Sequence, residues 1–249
     1  VSGGFAGRLD VRDLDPAAGA ARLIPIAAPV RRLACAQVRG RPIVVTGGAD
    51  GSVHIHWLDS GAPIAWITEA HTGPVTAVTC TTVAEEPVAV STGRDGLIKC
   101  WHLGSGLPFA PPLDNGAPVG ALACARSGSH PVVTGGLDGT VRFWSIADRS
   151  SVLGEAHAGA VRAAACTEFG GSAVTITGTD DGEVRVWDAD RWSPVDRLAL
   201  PGGIRALDAV HDTILVGLSR EVIALRRQGP RGHALRWRDW GWDWPEQKT

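Results

Sequence analysis

Four times along this chain an Asp-Gly pair opens a short run that alternates apolar residues and ends in Trp. The runs are Asp50-Gly51-Ser52-Val53-His54-Ile55-His56-Trp57, Asp95-Gly96-Leu97-Ile98-Lys99-Cys100-Trp101, Asp138-Gly139-Thr140-Val141-Arg142-Phe143-Trp144 and Asp181-Gly182-Glu183-Val184-Arg185-Val186-Trp187. Their Trp residues are 44, 43 and 43 positions apart. A period of this length means that one supersecondary unit is repeated, and each copy must bury its apolar faces against its neighbours. The first run holds one residue more than the others between Gly and Trp, so its alternation is read as Val53, Ile55, Trp57. Each run follows a short apolar strand such as Ile43-Val44-Val45-Thr46 or Ala89-Val90-Ser91. Asp-Gly between two such stretches is hairpin chemistry, because Gly supplies the positive φ that the tight turn needs.

Two further strands flank each hairpin. The one before it is expected at 30–36, 75–80, 119–125, 161–166 and 204–210, and the one after it at 64–67, 108–113, 152–155 and 195–200. Four short strands per repeat of about 43 residues make a propeller blade. Degenerate copies extend the array at both ends. Val1 to Asp13 parallels Val45 to Val53 without the turn Asp or the Trp, and Ile214 to Leu225 repeats the two central strands with Leu225 at the Trp position. The expected fold is therefore all-β: a β-propeller of six recognisable blades, the first incomplete, forming one domain over 1–249. The chain opens inside the second strand of its first blade and contains no Met, so it is expected to be truncated at the N-terminus. A seven-bladed ring would then draw on upstream sequence.

These residues resemble the WD40-repeat family, over nearly the whole chain and most specifically in 43–187. The resemblance implies a buried hydrogen-bonded network in each blade, made of a His before the first strand, a Ser or Thr in the second, the turn Asp and the Trp. One set matches His71, Ser91, Asp95 and Trp101, and another His157, Thr177, Asp181 and Trp187. Ile26 and Asn115 occupy the His place in two other blades, which keep Thr46, Asp50 and Trp57, and Thr134, Asp138 and Trp144.

His71, Ser91 and Asp95 imitate a hydrolase triad, but the constellation recurs with Thr177, and a satisfied buried network explains both copies. No nucleophile elbow, phosphate loop or HExxH motif is present, and no catalytic residue, cofactor or metal site is assigned. His54 and His56 share one strand face without an evident third ligand, and a partly exposed outer strand is expected there. Cys35, Cys80, Cys124 and Cys166 recur at intervals of 45, 44 and 42. One Cys per repeat without a CxxC pair reads as small buried strand residues in a reducing, cytoplasmic compartment.

The partner-binding candidates are Arg31, Arg162 and Arg205, at one repeat position, with Arg94, Leu137 and Asp180 each just before a turn Asp. Arg suits bidentate recognition of carboxylate. With 24 Lys+Arg against 26 Asp+Glu and no long uncharged apolar stretch, neither a nucleic-acid nor a membrane partner is expected. The tail from 228 to 249 holds four Trp in eight residues, Trp237 to Trp244, and is expected to pack on the ring. The function expected is a non-catalytic scaffold or sensor that holds a protein or peptide on its narrow face, with another domain of the same parent polypeptide as one such partner. The resemblance extends to bacterial propellers attached to signalling proteins. The alternatives are a small-ligand or glycan-binding propeller and, after it, an enzyme with its site at the central face.

Overall fold

The computed structural model describes residues 1–4, 7–12, 22–26, 28–125, 132–169, 172–189, 191–210, 213–227 and 240–242. Every regular element among them is a β-strand, and no helix is long and apolar enough to cross a membrane. The contacts divide the chain into two compact units, Val1–Val119 and Gly120–Thr249.

The first unit carries three antiparallel sheets. Sheet 1 has three strands in the order β1 (Ser2–Gly3), β2 (Arg8–Val11), β3 (Arg22–Pro25). Sheet 2 is β4 (Val30–Val38), β5 (Arg41–Gly48), β6 (Val53–Trp57), β7 (Pro63–Ile67), and sheet 3 is β8 (Val75–Val83), β9 (Glu86–Gly93), β10 (Leu97–His102), β11 (Pro108–Asp114). The first strands of sheets 2 and 3 run two or three residues past their expected ends. The turns that stop them, Arg39-Gly40 and Ala84-Glu85, are two-residue turns with both φ values positive, the twist-compatible way to close a hairpin.

The second unit carries three four-stranded sheets. Sheet 4 is β12 (Val119–Cys124), β13 (Val132–Gly136), β14 (Val141–Ser145), β15 (Ser150–Leu153). Sheet 5 is β16 (Val161–Phe169), β17 (Ser172–Thr179), β18 (Glu183–Asp188), β19 (Ser193–Ala199). Sheet 6 is β20 (Ala206–Val210), β21 (Thr213–Gly217), β22 (Val222–Arg227), β23 (Trp240–Trp242). β23 lies in the Trp-rich segment and pairs with β22 through Leu225↔Trp242 and Arg227↔Trp240. The rest of that segment, including Arg236, Trp237 and Trp244, lies outside the described residues. The fold is all-β, with six antiparallel sheets of three or four strands consistent with propeller blades.

Within each unit, successive sheets meet through the same two contacts. The turn Gly carbonyl accepts from the backbone N–H of the connection to the next sheet: Gly51 from His71, Gly139 from His157 and Gly182 from Leu200, each at 2.9 Å. Three residues before the turn Asp, a second Gly receives the β-branched residue that leads into the next sheet. A Cβ on Gly47 would lie 2.4 Å from Val75 Cγ1, one on Gly135 2.2 Å from Val161 Cγ1, and one on Gly178 2.6 Å from Ile204 Cγ2. No larger residue fits there without moving the neighbouring sheet. Around these points the apolar faces close into cores, such as Val45, Ile55, Val75 and Trp101 between sheets 2 and 3 and Ile176, Val186, Ile204 and Ile214 between sheets 5 and 6.

Candidate functional site

In sheet 3 the expected network is a single directional chain. Trp101 Nε1–H donates to Ser91 Oγ at 2.9 Å, and the Ser91 hydroxyl lies 2.9 Å from His71 Nε2. On the other side of the ring, His71 Nδ1 is 3.0 Å from both carboxylate oxygens of Asp95. Burial pushes the His71 pKa down, against the opposing pull of Asp95. A neutral ring with its proton on Nδ1 satisfies every member: indole to hydroxyl, hydroxyl to Nε2, Nδ1–H to carboxylate. Burial alone would raise the Asp95 pKa. The hydrogen bonds from His71 and from the Leu97 and Thr72 backbone N–H groups outweigh it and hold the carboxyl below its ordinary value.

Sheet 5 corrects the expectation for Asp181. Trp187 Nε1 donates to Thr177 Oγ1 and Thr177 Oγ1 meets His157 Nε2, both at 2.8 Å, but the acid on His157 Nδ1 is Glu183, at 2.7 Å. Asp181 instead accepts from the Thr179 hydroxyl, two residues back. Glu183 is two residues beyond the turn Asp, and its extra methylene lets it reach the ring and Arg185 together. Arg185 Nε and Nη2 donate to Glu183 at 2.7 and 3.0 Å, and Nη1 donates to the carbonyls of Glu155 and Ala156 at 3.1 Å. A buried arginine is thereby fully compensated.

Sheets 2 and 4 lack the His, and their turn Asp bonds inside the turn: Asp50 to the Ser52 hydroxyl at 2.6 Å and Asp138 to that of Thr140 at 2.7 Å. In sheet 4, Trp144 Nε1 still donates to Thr134 Oγ1 at 2.8 Å. Sheet 2 overturns the assignment of Trp57. Thr46 pairs with His54 as Ser91 pairs with Lys99 and Thr177 with Arg185, so the Trp place two residues on belongs to His56. The additional residue in the first run shifts Trp57 to the opposite face, half-buried, with the Arg41 guanidinium 4.0 Å above its ring and held by Asp59. His54 and His56 are buried rather than partly exposed. Trp66 caps them, stacking on His54 and pointing Nε1 at His56 Nε2, 3.4 Å away. His56 Nδ1 has no hydrogen-bond partner among the described residues. Burial, with a smaller contribution from His54, pushes its pKa down to about 4.

The partner-binding candidates sit at the Asp-Gly end of their sheets. Register shifts leave Arg31 and Arg162 as the additional residues between Val30 and Arg32 and between Val161 and Ala163. Such a bulge takes a side chain out of the alternation and re-aims it. Arg31, Arg94, Arg162, Asp180 and Arg205 are exposed and Leu137 is half-buried. The rim positions of one sheet can neutralise each other: Arg162 Nη2 is 3.1 Å from Asp180. In sheet 4, Leu137 Cδ2 packs over Gly120, where a Cβ would meet it at 2.5 Å. No side-chain ion pair is formed by Arg31, Arg94 or Arg205 among the described residues.

Of the recurring cysteines, Cys35 is exposed and Cys80, Cys124 and Cys166 are half-buried, so only the placement on first strands matches the expectation. Burial raises the Cys80 thiol to about 12 and Cys166 to about 11, so neither is a ready nucleophile. No group of three or more metal-ligating side chains occurs among the described residues. A groove of about 760 Å³ opens at the opposite end of sheets 2 and 3, lined by Arg39, Trp57, Glu86, His102 and Leu107 among others. Sequence reading had no signal for it beyond the displaced Trp57.

The repeat family described as WD domain, G-beta repeat matches residues 64–102, 113–145 and 150–188. The chain thus carries three WD40 repeats, and these together with its four-stranded antiparallel sheets are consistent with a WD40 β-propeller family member. No curated protein matches the chain. Among solved structures it is similar to a computationally designed protein, Ika8, with a TM-score of 0.64 and 23% identity over 84% of this chain and 64% of that one. The chain therefore spans less than two thirds of that structure's length, and at this identity the likeness shows fold alone.

Proposed function

We propose that the chain is a non-catalytic interaction module, part of a WD40-type propeller ring, that holds a protein or peptide at the Asp-Gly end of its sheets. The observation that carries this reading is the bulge position: it lifts Arg31 in sheet 2 and Arg162 in sheet 5 out of the sheet ladder at the same place in their repeats, with Arg205 at the matching place in sheet 6 and Arg94, Leu137 and Asp180 each next to a turn Asp. The mixture of both charge signs with an apolar side chain suits a protein surface better than a phosphate chain. The triad-like His71, Ser91 and Asp95 are consumed by their own hydrogen bonds, so a catalytic role for them is not part of the proposal. On the same footing we place the module in a reducing cytoplasm, attached to a bacterial signalling protein and belonging to a ring of as many as seven blades.

The test is affinity capture on the immobilised chain, followed by binding kinetics of the purified partner with Arg94→Ala, Arg162→Ala and Arg205→Ala. Loss of a rim Arg should slow association and flatten the salt dependence. Unchanged kinetics in all three variants, at low and high salt, would place the interface elsewhere. The groove beside Trp57 and Leu107 then becomes the better site and favours the small-ligand or glycan reading.

A further inference from the structure

In sheets 2 to 5 the third-strand residue that pairs with the Ser or Thr of the second strand is basic: His54, Lys99, Arg142 and Arg185. In three of these sheets the outer strand faces it residue for residue, with Trp66 opposite His54, Leu153 opposite Arg142 and Arg197 opposite Arg185. Sheet 3 differs. Ile98 pairs with Leu113 and Cys100 with Ala110, so two residues, Pro111 and Pro112, stand opposite Lys99. The additional residue makes β11 bulge away from β10, and a proline has no N–H with which to draw the strands together. A pocket of about 460 Å³ opens at this bulge. Trp101, Phe109, Ala110, Pro111 and Pro112 form its walls, and Lys99 is the one charged residue lining it among the described residues. The Trp101 indole N–H is already spent on Ser91. The cation is also compensated differently from its counterpart in sheet 5. Arg185 is held by Glu183 and by the carbonyls of Glu155 and Ala156. In sheet 3, Leu97 stands where Glu183 does, and Glu69, where Glu155 does, is exposed. Lys99 is half-buried and makes no hydrogen bond or ion pair among the described residues.

We infer that this pocket binds a small aromatic carboxylate, whose flat body lies among the rings of Trp101, Phe109 and the two prolines and whose anionic group pairs with Lys99. An ammonium partly withdrawn from water is stabilised by a counter-charge, and the chain supplies none here. Aromatic and pyrrolidine rings offer flat apolar walls, and the volume lies within the range of small-molecule sites. A single cation suits a monoanion, and a polyanion would leave its other charges against apolar walls. A neutral ligand of the same shape would leave the ammonium unpaired. The rim residues Arg31, Arg94, Arg162 and Arg205 do not line this pocket, so the inference does not depend on the partner reading.

The experiment titrates the full chain with naphthoate and with naphthamide, its neutral counterpart of the same shape, by isothermal calorimetry. Naphthoate should bind about tenfold more tightly or better, the margin of one hydrogen bond to a charged group. Lys99→Met keeps the length of the side chain and removes its charge. It should bring naphthoate to the affinity of the amide while leaving amide binding and the urea midpoint in place. Lys99→Gln gives the same comparison in a second neutral variant, and Lys99→Arg should keep the preference for the acid. Ala110→Leu puts a larger side chain into the pocket and should abolish binding of both probes. The inference is overturned if the parent chain binds acid and amide equally, or binds neither at millimolar concentration. It is equally overturned if the neutral variants keep the preference for the acid, or if Ala110→Leu leaves binding intact. Those last two results would mean that the carboxylate is held elsewhere on the chain.

Discussion

Sheets 3 and 5 use the same parts to different ends. In both, a Trp indole, a hydroxyl and a neutral His form a directional chain of hydrogen bonds, and in both an acid terminates it. In sheet 3 the acid is the turn residue Asp95, with Ser91 as the hydroxyl. In sheet 5 the turn residue Asp181 is turned away toward Thr179, and Glu183 takes both His157 and Arg185. Position in a repeat and chemical role are therefore separable. What the network requires is a carboxylate oxygen within hydrogen-bond reach of Nδ1, and a longer side chain from two residues away supplies it as well as a shorter one from the turn. The exchange has a consequence, since the Glu183 carboxylate also neutralises a buried arginine that sheet 3 lacks.

The largest effect that follows is at Glu183. Glu183→Ala leaves the buried Arg185 guanidinium with backbone carbonyls and the remoter Glu155 carboxylate, 3.5 Å away, and removes the acceptor of His157. The cost should be about 3 kcal/mol, the lower part of the range for breaking a buried pair, because Glu183 itself is partly exposed. Urea unfolding of the variant measures it. A loss no larger than that of Asp95→Ala would mean that Arg185 contributes nothing to the difference between the two sheets.

His56 in sheet 2 sharpens the comparison from the other side, since it is a buried His with no acid. Its folded pKa of about 4 lies below the ordinary 6.5, so below pH 6.5 the unfolded chain takes up a proton that the folded chain refuses. Its contribution to stability is complete above pH 6.5 and is lost as pH falls toward 4, by about 3 kcal/mol at full extent. His71 and His157 are lowered too, with burial again the first cause. The diagnostic is accordingly the difference between wild type and His56→Gln: the variant should lose less stability between pH 6.5 and 4. Parallel pH profiles would assign the acid sensitivity to the other two rings.

Strand order, the period and the His71 network could be read from sequence because each depends on local alternation or on spacing that the sheet register preserves. The misassignments of Trp57 and Asp181 have one physical origin. A side chain's partner depends on register and reach, and the Trp and Asp letters do not encode either. One more residue in the first run leaves Trp57 in the sequence pattern but moves it to the other face. Counting ten residues from Thr46, as from Ser91 to Trp101 and Thr177 to Trp187, would have led to His56. Glu183 carried a signal as well, since it sits two positions before a basic residue on a strand that otherwise reads as core. The groove beside Trp57 depends on how two turns from different sheets pack, and no spacing rule expresses that.

The smallest expected effect is also the sharpest discriminator, because it sets the two turn aspartates side by side. Asp95→Ala removes the acceptor of a buried His71 Nδ1–H and of the Thr72 and Leu97 backbone N–H groups, and should cost about 1–3 kcal/mol. Asp181 lies in an exposed turn, where it accepts from the Thr179 hydroxyl and, at 3.5 Å, from the Glu183 backbone N–H. In Asp181→Ala the Thr179 hydroxyl keeps an acceptor in the Glu183 carbonyl, 3.1 Å away, and His157 keeps Glu183. No buried donor is stranded, so Asp181→Ala should stay within about 0.5 kcal/mol of wild type. Parallel chemical denaturation of the two variants decides the matter. Equal losses would show that the turn Asp stabilises every sheet through the turn itself, with the His contact incidental. A small loss at Asp181 beside a larger one at Asp95 would place the stabilisation in the acid that reaches the ring, whichever position supplies it.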